Sequence, residues 1–416
     1  MSQQAQISRL NLTTLLFPLA LVLFEFAVYI GNDMAQPAML QVVQEFGVDT
    51  SWVPLSMTAY LLGGALLPWL TGPLSDRFGR RPVLLFGVAW FTASCLATYL
   101  VSDIHSYMLL RVLQGFGLCF INAVGYAAIQ EAYAETTAVR VTALMANVAL
   151  IAPLAGPLAG AALLTLAPWR TGFLLIAICS LLALIGLWWQ MPETRQPSPE
   201  VKLTPRALWQ GYARLLRHGR FVRAALCIPL LAMPLMAWIA LSPVLLVEDM
   251  GLSALQYGLW QIPVFAGLIG GNLLLALVAE RWPLGRSVQV GMWPLLAGLV
   301  LMLGSVVFAA NRHVYLALGM SLMALGEGLS FAVLYRFALT ASIQAKGIVS
   351  AGMSMLSMAG YALGIELFRW AYLLAGLPGF AAMSLLFAIS FVLLARPQVK
   401  LAMAERSDPD LLPQGA

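Results

Sequence analysis

Residues 72–82 read Gly72-Pro73-Leu74-Ser75-Asp76-Arg77-Phe78-Gly79-Arg80-Arg81-Pro82 and lie between two apolar runs, near 52–73 and 83–101. Glycines such as Gly72 and Gly79 let helices approach and the chain turn tightly. Asp76 is placed to face a helix N-terminus, or an arginine across a contact between two halves of the molecule. Arg77, Arg80 and Arg81 would by themselves hold a loop on one side of a membrane. The Gly–Asp–Gly spacing is not needed for that. A similar order returns downstream: Glu280-Arg281-Trp282, then Gly285-Arg286. Two six-helix halves related by pseudo-symmetry would place a substrate site between them at mid-membrane.

Outside this stretch the chain is unusually apolar. Of 416 residues, 61% are hydrophobic and 10% charged, against roughly 25% charged in a soluble domain. Mean hydropathy is +0.85. So few charges cannot cover a wetted surface, so most of the surface faces the lipid bilayer. A span needs about 20 mostly apolar residues. Twelve are expected, near 13–37, 52–73, 83–101, 107–130, 141–165, 171–190, 221–246, 256–279, 288–309, 314–335, 347–370 and 375–395. They must be helices, because lipid offers backbone groups no partner. The first run is long and holds Glu25, as a membrane span does and a cleaved signal does not.

A break at 191–220 carries Pro192, Pro197, Pro199 and Pro205, then a basic amphipathic run. It reads as a partly helical cytoplasmic linker between bundles 1–190 and 221–395, with a cytoplasmic tail at 396–416. All but five of the 23 Lys and Arg, namely Arg111, Arg170, Arg312, Arg336 and Arg369, fall on one side of that arrangement. Both termini are then cytoplasmic. The net charge of +5 is this loop bias and does not indicate nucleic acid. The four cysteines sit in apolar runs and read as small buried side chains. No phosphate loop, metal motif or catalytic domain is found, so neither an enzyme nor a cofactor is expected.

Two acids interrupt the first span. A charge at bilayer depth costs about 2.5–3.5 kcal/mol on insertion scales, so such residues mark function. Glu25 and Asp33 are eight residues apart, about 12 Å along a helix and roughly 80° around it. Both can line one cavity at different depths. A carboxyl removed from water favours its protonated form, and a nearby cation favours its charged form. Arg111 cannot readily lose its proton and is a fixed positive charge in the fourth span. It can tune the acids, hold carbonyls of the first span, or anchor helix to helix. The 19 methionines and 12 tryptophans suit an adaptable apolar pocket that attracts cations.

Several stretches support a family resemblance. The 72–82 stretch resembles the signature loop of the major facilitator superfamily. Leu110-Arg111-Val112-Leu113-Gln114-Gly115 is similar to its span-four motif. Ala152-Pro153-Leu154-Ala155-Gly156-Pro157-Leu158-Ala159-Gly160 is similar to the span-five motif associated with antiporters. Within the superfamily, Leu23-Phe24-Glu25-Phe26-Ala27-Val28-Tyr29-Ile30-Gly31-Asn32-Asp33-Met34, Gly125-Tyr126-Ala127-Ala128-Ile129-Gln130-Glu131 and the stretch 142–153 resemble the drug:proton antiporter family. The first half matches in long blocks and the second more loosely.

The resemblance implies an all-α integral membrane protein with the major facilitator fold. It implies export of chemically diverse compounds, including chloramphenicol and lipophilic cations, in exchange for protons, by a monomer in the bacterial inner membrane. It places Glu25, Asp33 and Arg111 on proton-coupling positions. Tyr29, Asn32, Asp33, Met57, Leu118, Met145, Ala149, Leu235, Met236, Ile239 and Phe265 fall on the substrate pocket. Gly72, Asp76, Arg77, Gly79, Arg80, Pro153, Gly156, Pro157 and Gly160 fall on the conformational motifs. Glu327 in span ten departs from the family pattern, which is apolar there, and could add a titratable site. Glu366 and Arg369 read as a structural i,i+3 pair. A nutrient symporter and a Na⁺- or K⁺-linked exchanger on the same fold remain alternatives, because fold does not fix function.

Overall fold

A computed structural model describes residues 12–195, 197–198, 204–279, 281–283, 285–308, 311–342 and 346–407. α1 (Leu12–Asp33) and α2 (Ala35–Glu45) form one broken run, and α3 (Val53–Leu66) and α4 (Pro68–Phe78) another. α5 (Arg80–Ala97) follows. α6 (Ile104–Phe120) passes through a π-turn at 121–125 into α7 (Tyr126–Ala132). Then come α8 (Glu135–Leu164), α9 (Arg170–Gln190), α10 (Pro205–Arg217), α11 (Gly219–Pro243), α12 (Ala254–Val278), α13 (Arg286–Val307), α14 (Arg312–Thr340) and α15 (Lys346–Ser407).

Among the described residues, nine helices are long and apolar enough to cross a membrane, or ten if α3 and α4, bent by 44°, count as one. The expected fifth span lies on α8, a single helix of 30 residues. The expected last two lie on α15, whose 62 residues leave helical geometry at Gly376 (φ 59°, ψ −139°). α15 continues to Ser407, so part of the expected tail is helical; 408–416, and 196 and 199–203 of the linker, lie outside the described residues.

The packing repeats between halves. In the first, α1 packs on α8 and α9, α3 on α6, and α5 on α6 and α9. In the second, α11 packs on α14 and α15, α12 on α14, and α13 on α14 and α15. The halves meet where α3 lies on α15 and α8 on α12. Glycines fix the register of equivalent pairs. A Cβ on Gly63 of α3 would strike the Val112 carbonyl and come within 3.0 Å of Gly115 Cα on α6. A Cβ on Gly271 of α12 would strike the Leu325 carbonyl and come within 3.0 Å of Gly328 Cα on α14. Such close backbone approach is how helices pack in lipid.

The structure corrects the expectation of a loop at 72–82. α4 runs to Phe78 and α5 starts at Arg80, so Gly79 alone makes the turn. Its φ of 101° is one that only glycine adopts freely. In the repeat, Gly285 (φ 100°) precedes α13 in the same way. The repeat's acid, Glu280, lies outside the described residues.

Candidate functional site

Beyond its first turn, α1 is mostly apolar apart from its two acids, Tyr29 and the amide beside Asp33. Glu25 and Asn32 bond to side chains on other helices, and Asp33 bonds to Asn32 beside it. Glu25 is fully buried and accepts a hydrogen bond from the Tyr126 hydroxyl of α7 (2.9 Å); its Oε2 has no hydrogen-bond partner among the described residues. Asp33 is 4% exposed and ends α1. The Asn32 side-chain N–H donates to Asp33 Oδ1 (3.0 Å). A Cβ on Gly156 of α8 would lie 2.6 Å from Asp33 Cβ, and one on Gly160 would lie 2.5 Å from the Met34 carbonyl. The span-five glycines therefore let α8 sit directly on α1 beside the acid. Pro153 and Pro157 lie within α8 without ending it.

Arg111 is fully buried on α6. Its Nε donates to Ser56 Oγ (3.0 Å). One terminal nitrogen donates to Gln114 Oε1 (2.8 Å) and the Gly31 carbonyl (3.3 Å), the other to Asn32 Oδ1 (3.0 Å). The guanidinium also lies 4.7 Å from the Tyr60 ring centroid, a cation–π distance. Arg111 forms no salt bridge with either acid. It reaches Asp33 through Asn32, whose amide oxygen faces the arginine and whose amide nitrogen faces the carboxylate.

The signature motif forms a second polar cluster. Arg80 pairs with Asp76 (2.8 Å) and, through two nitrogens, with Glu131 (2.9 and 3.2 Å), and donates to Ser75 Oγ. Arg195 pairs with Asp76 (3.1 Å). Asp76 thus meets arginines of its own motif and of the segment after α9, and not the arginine across the halves that was one of its two expected partners. Glu193 accepts from the backbone N–H of Arg80 (2.8 Å) and Arg81 (3.2 Å), capping α5. A Cβ on Gly79 would strike this carboxylate. Arg77 lies over the Phe78 ring (5.6 Å). Gly72 has open space where a Cβ would go, so the helix approach expected there is not made.

The pocket candidates divide between two cores. Leu118 and Met145 belong to the core of the first half, with Tyr29 against it. Met57 crosses from α3 to join Leu235, Ile239 and Phe265 in the core of the second, with Met236 against it. The side chain of Ala149 lies outside those described. The sequence analysis missed the roles of Tyr126, Ser56, Gln114, Glu131 and Glu193. Tyr126, Gln114 and Glu131 stand inside the stretches that carried the resemblance, which was the available signal.

A bundle of apolar helices in two pseudo-symmetric halves, with an arginine and two acids buried among them, is a multi-pass membrane transporter. Residues 21–364 match the Major Facilitator Superfamily, and the chain belongs to that family. It is 53% identical to the Multidrug transporter MdfA of Edwardsiella ictaluri, over 88% of this chain and 90% of that one. It is 50% identical to the Multidrug transporter MdfA of Yersinia pestis, over 91% and 92%. A bacterial homolog to the human lysosomal transporter Spinster, solved in an inward-facing and occupied conformation, shares the fold: TM-score 0.71, 14% identity, covering 97% of this chain and 99% of that one.

Proposed function

We propose that the chain is a proton-coupled multidrug efflux antiporter of a bacterial inner membrane, exporting lipophilic cationic and neutral compounds in exchange for protons. One observation carries this reading: Glu25 and Asp33 are both buried on one helix, and among the described residues neither is neutralised by a salt bridge. Arg111 is held by Ser56, Gly31, Gln114 and Asn32 instead. Each acid is therefore free to trade a proton for the charge of a passenger. Arg111 acts as a fixed charge that reads the state of Asp33 through Asn32. The relatives named multidrug transporters, about half identical along nearly the whole length, support the substrate class.

On this reading twelve spans form two bundles, 1–190 and 221–395, joined by the linker at 191–220, and both termini are cytoplasmic. The pocket lies between the cores that hold Leu118 and Met145 on one side and Leu235, Ile239 and Phe265 on the other. Gly156 and Gly160 let α8 shift against α1 as Asp33 changes protonation state.

The deciding experiment measures protons released from purified protein when tetraphenylphosphonium or chloramphenicol is added. The parent chain releases protons, and the Glu25→Gln, Asp33→Asn double variant releases none. Proton-driven export by that double variant would sink the reading. Accumulation of the compound in energised cells, rather than depletion, would turn it into a symporter.

A further inference from the structure

Glu327, on α14, is 6% exposed and forms no hydrogen bond or ion pair among the described residues. Its direction follows from helix geometry. Leu318 and Arg336 lie nine residues to either side, half a turn around the helix, and both are exposed. Gly326 packs against the Gly291 carbonyl of α13 and Gly328 against the Leu268 carbonyl of α12, which fixes the rotation of α14. Glu327 therefore points inward, away from lipid. Tyr361 of α15 lies within electrostatic reach of it.

The repeat shows what this position does in the other half. The residue before the packing glycine is Gln114 on α6 and Glu327 on α14. Gln114 is fully engaged: it accepts from Arg111 and donates to the Ser94 carbonyl (3.3 Å) and Thr98 Oγ1 (2.8 Å). Glu327 has no arginine to meet, because the position equivalent to Arg111 is Ala324. Four of the described charged groups of this half are placed elsewhere or occupied. Arg312 starts α14, Arg336 lies on the outer face, and Glu366 is held by Thr58 and Arg369.

Phe331 stands one helical turn on from Glu327, about 40° round, and Tyr335 two turns on, about 80° round and about 12 Å along the helix; their rings stack at 6.3 Å. Tyr335 is 39% exposed although it does not share the outer face of Leu318. Aromatic faces beside a lone buried carboxylate are the chemistry that recognises a large organic cation. We propose that Glu327, with Phe331, Tyr335 and Tyr361, forms a second cation-binding site in the second half, taking lipophilic organic cations. It rests on the export function proposed above and lets a cationic passenger be shared between the acids of α1 and the carboxylate of α14.

The test compares binding of tetraphenylphosphonium and chloramphenicol to the purified full-length chain. Glu327→Gln keeps the shape of the side chain and removes its charge. The ratio of affinities, cation over neutral compound, is expected to fall by about tenfold or more. Glu327→Asp should restore most of the ratio, and Phe331→Leu should lower it with Glu327 intact. An unchanged ratio in Glu327→Gln, whether both affinities hold or both fall together, overturns the proposal. A parent chain that binds neither compound would instead overturn the export function.

Discussion

At the scale of single residues, Arg111 is where the bonds of the site converge. Its fork reaches Ser56 on α3, Gly31 and Asn32 on α1 and Gln114 on α6. A lysine keeps the charge and loses the fork. Arg111→Lys is expected to leave some of these buried acceptors without a donor, each at about 1–3 kcal/mol. Melting temperature in detergent and drug transport should then fall together. Transport at the parent level would reduce the role of Arg111 to its charge. Tyr126 poses the opposite case. It is the only donor to Glu25 among the described residues, and a hydrogen bond inside a membrane protein averages about 0.6 kcal/mol. Tyr126→Phe should therefore fold and melt like the parent while drug-induced proton release changes. An unaltered release would show that Glu25 does not depend on this hydroxyl. The charged members of the site were legible in the sequence because each interrupts an apolar run. Of their neutral partners only Asn32 was named as a site residue, for the pocket and not for its bonds to Arg111 and Asp33. The bond from Tyr126 to Glu25 joins residues 101 apart, and that from Arg111 to Asn32 joins residues 79 apart, separations that no local pattern encodes.

At the scale of elements, the motif at 72–82 shows how far local reading reaches. Its glycines announced a turn, and Gly79 makes one; its repeat at Gly285 does the same before α13. The extent of α4 was hidden because Pro73 and the charges resemble a loop, yet a helix tolerates them where tertiary bonds hold it. The carboxylate of Glu193 could not be foreseen as the cap of α5, since proline-rich sequence gives no fixed course. Gly79→Ala adds backbone strain of about 1–3 kcal/mol and a clash with that carboxylate. It is expected to free the segment after α9, seen as faster proteolysis near 191–198; unchanged proteolysis would mean that Glu193 does not hold it. At the other end of the bundle, Glu45 of α2 accepts from Arg170 and Trp169 at the start of α9. Burial pushes its carboxyl up, but these bonds outweigh burial and hold it below the usual carboxylate value of 4.5. A carboxyl lowered in the folded state stabilises above its unfolded value, and the effect is lost as pH falls through the folded one. Glu45→Gln should lower the melting temperature slightly at neutral pH, as an exposed pair worth about 0–1 kcal/mol would. The difference should shrink and vanish as pH falls through the folded-state value, where the parent's own carboxylate is protonated. A difference that persists there would assign it to packing.

At the scale of the whole molecule, two halves with repeated packing must move past one another for one site to face both sides. The contacts that cross between them set the balance of states. Most are apolar, where α3 lies on α15 and α8 on α12. Among the described residues one hydrogen bond crosses: the Thr58 hydroxyl of α3 donates to Glu366 Oε1 of α15 (2.9 Å), while Arg369 holds Oε2 (2.8 Å). The sequence suggested the Glu366–Arg369 pair as local structure, which it is, but carried no sign of the bond to the other half. That bond can exist only while these stretches of α3 and α15 stay together. Thr58→Val removes it with little change of shape. A bond of about 0.6 to 1.7 kcal/mol would change a two-state ratio roughly threefold to twentyfold. Spin labels at the exposed Gln44, near the end of α2, and Leu255, at the start of α12, report the separation of the halves at this end. Thr58→Val should shift their distance distribution toward longer separations, and Glu366→Gln less so, because its amide oxygen can still accept. Identical distributions in parent and Thr58→Val would place the balance in the apolar seams alone.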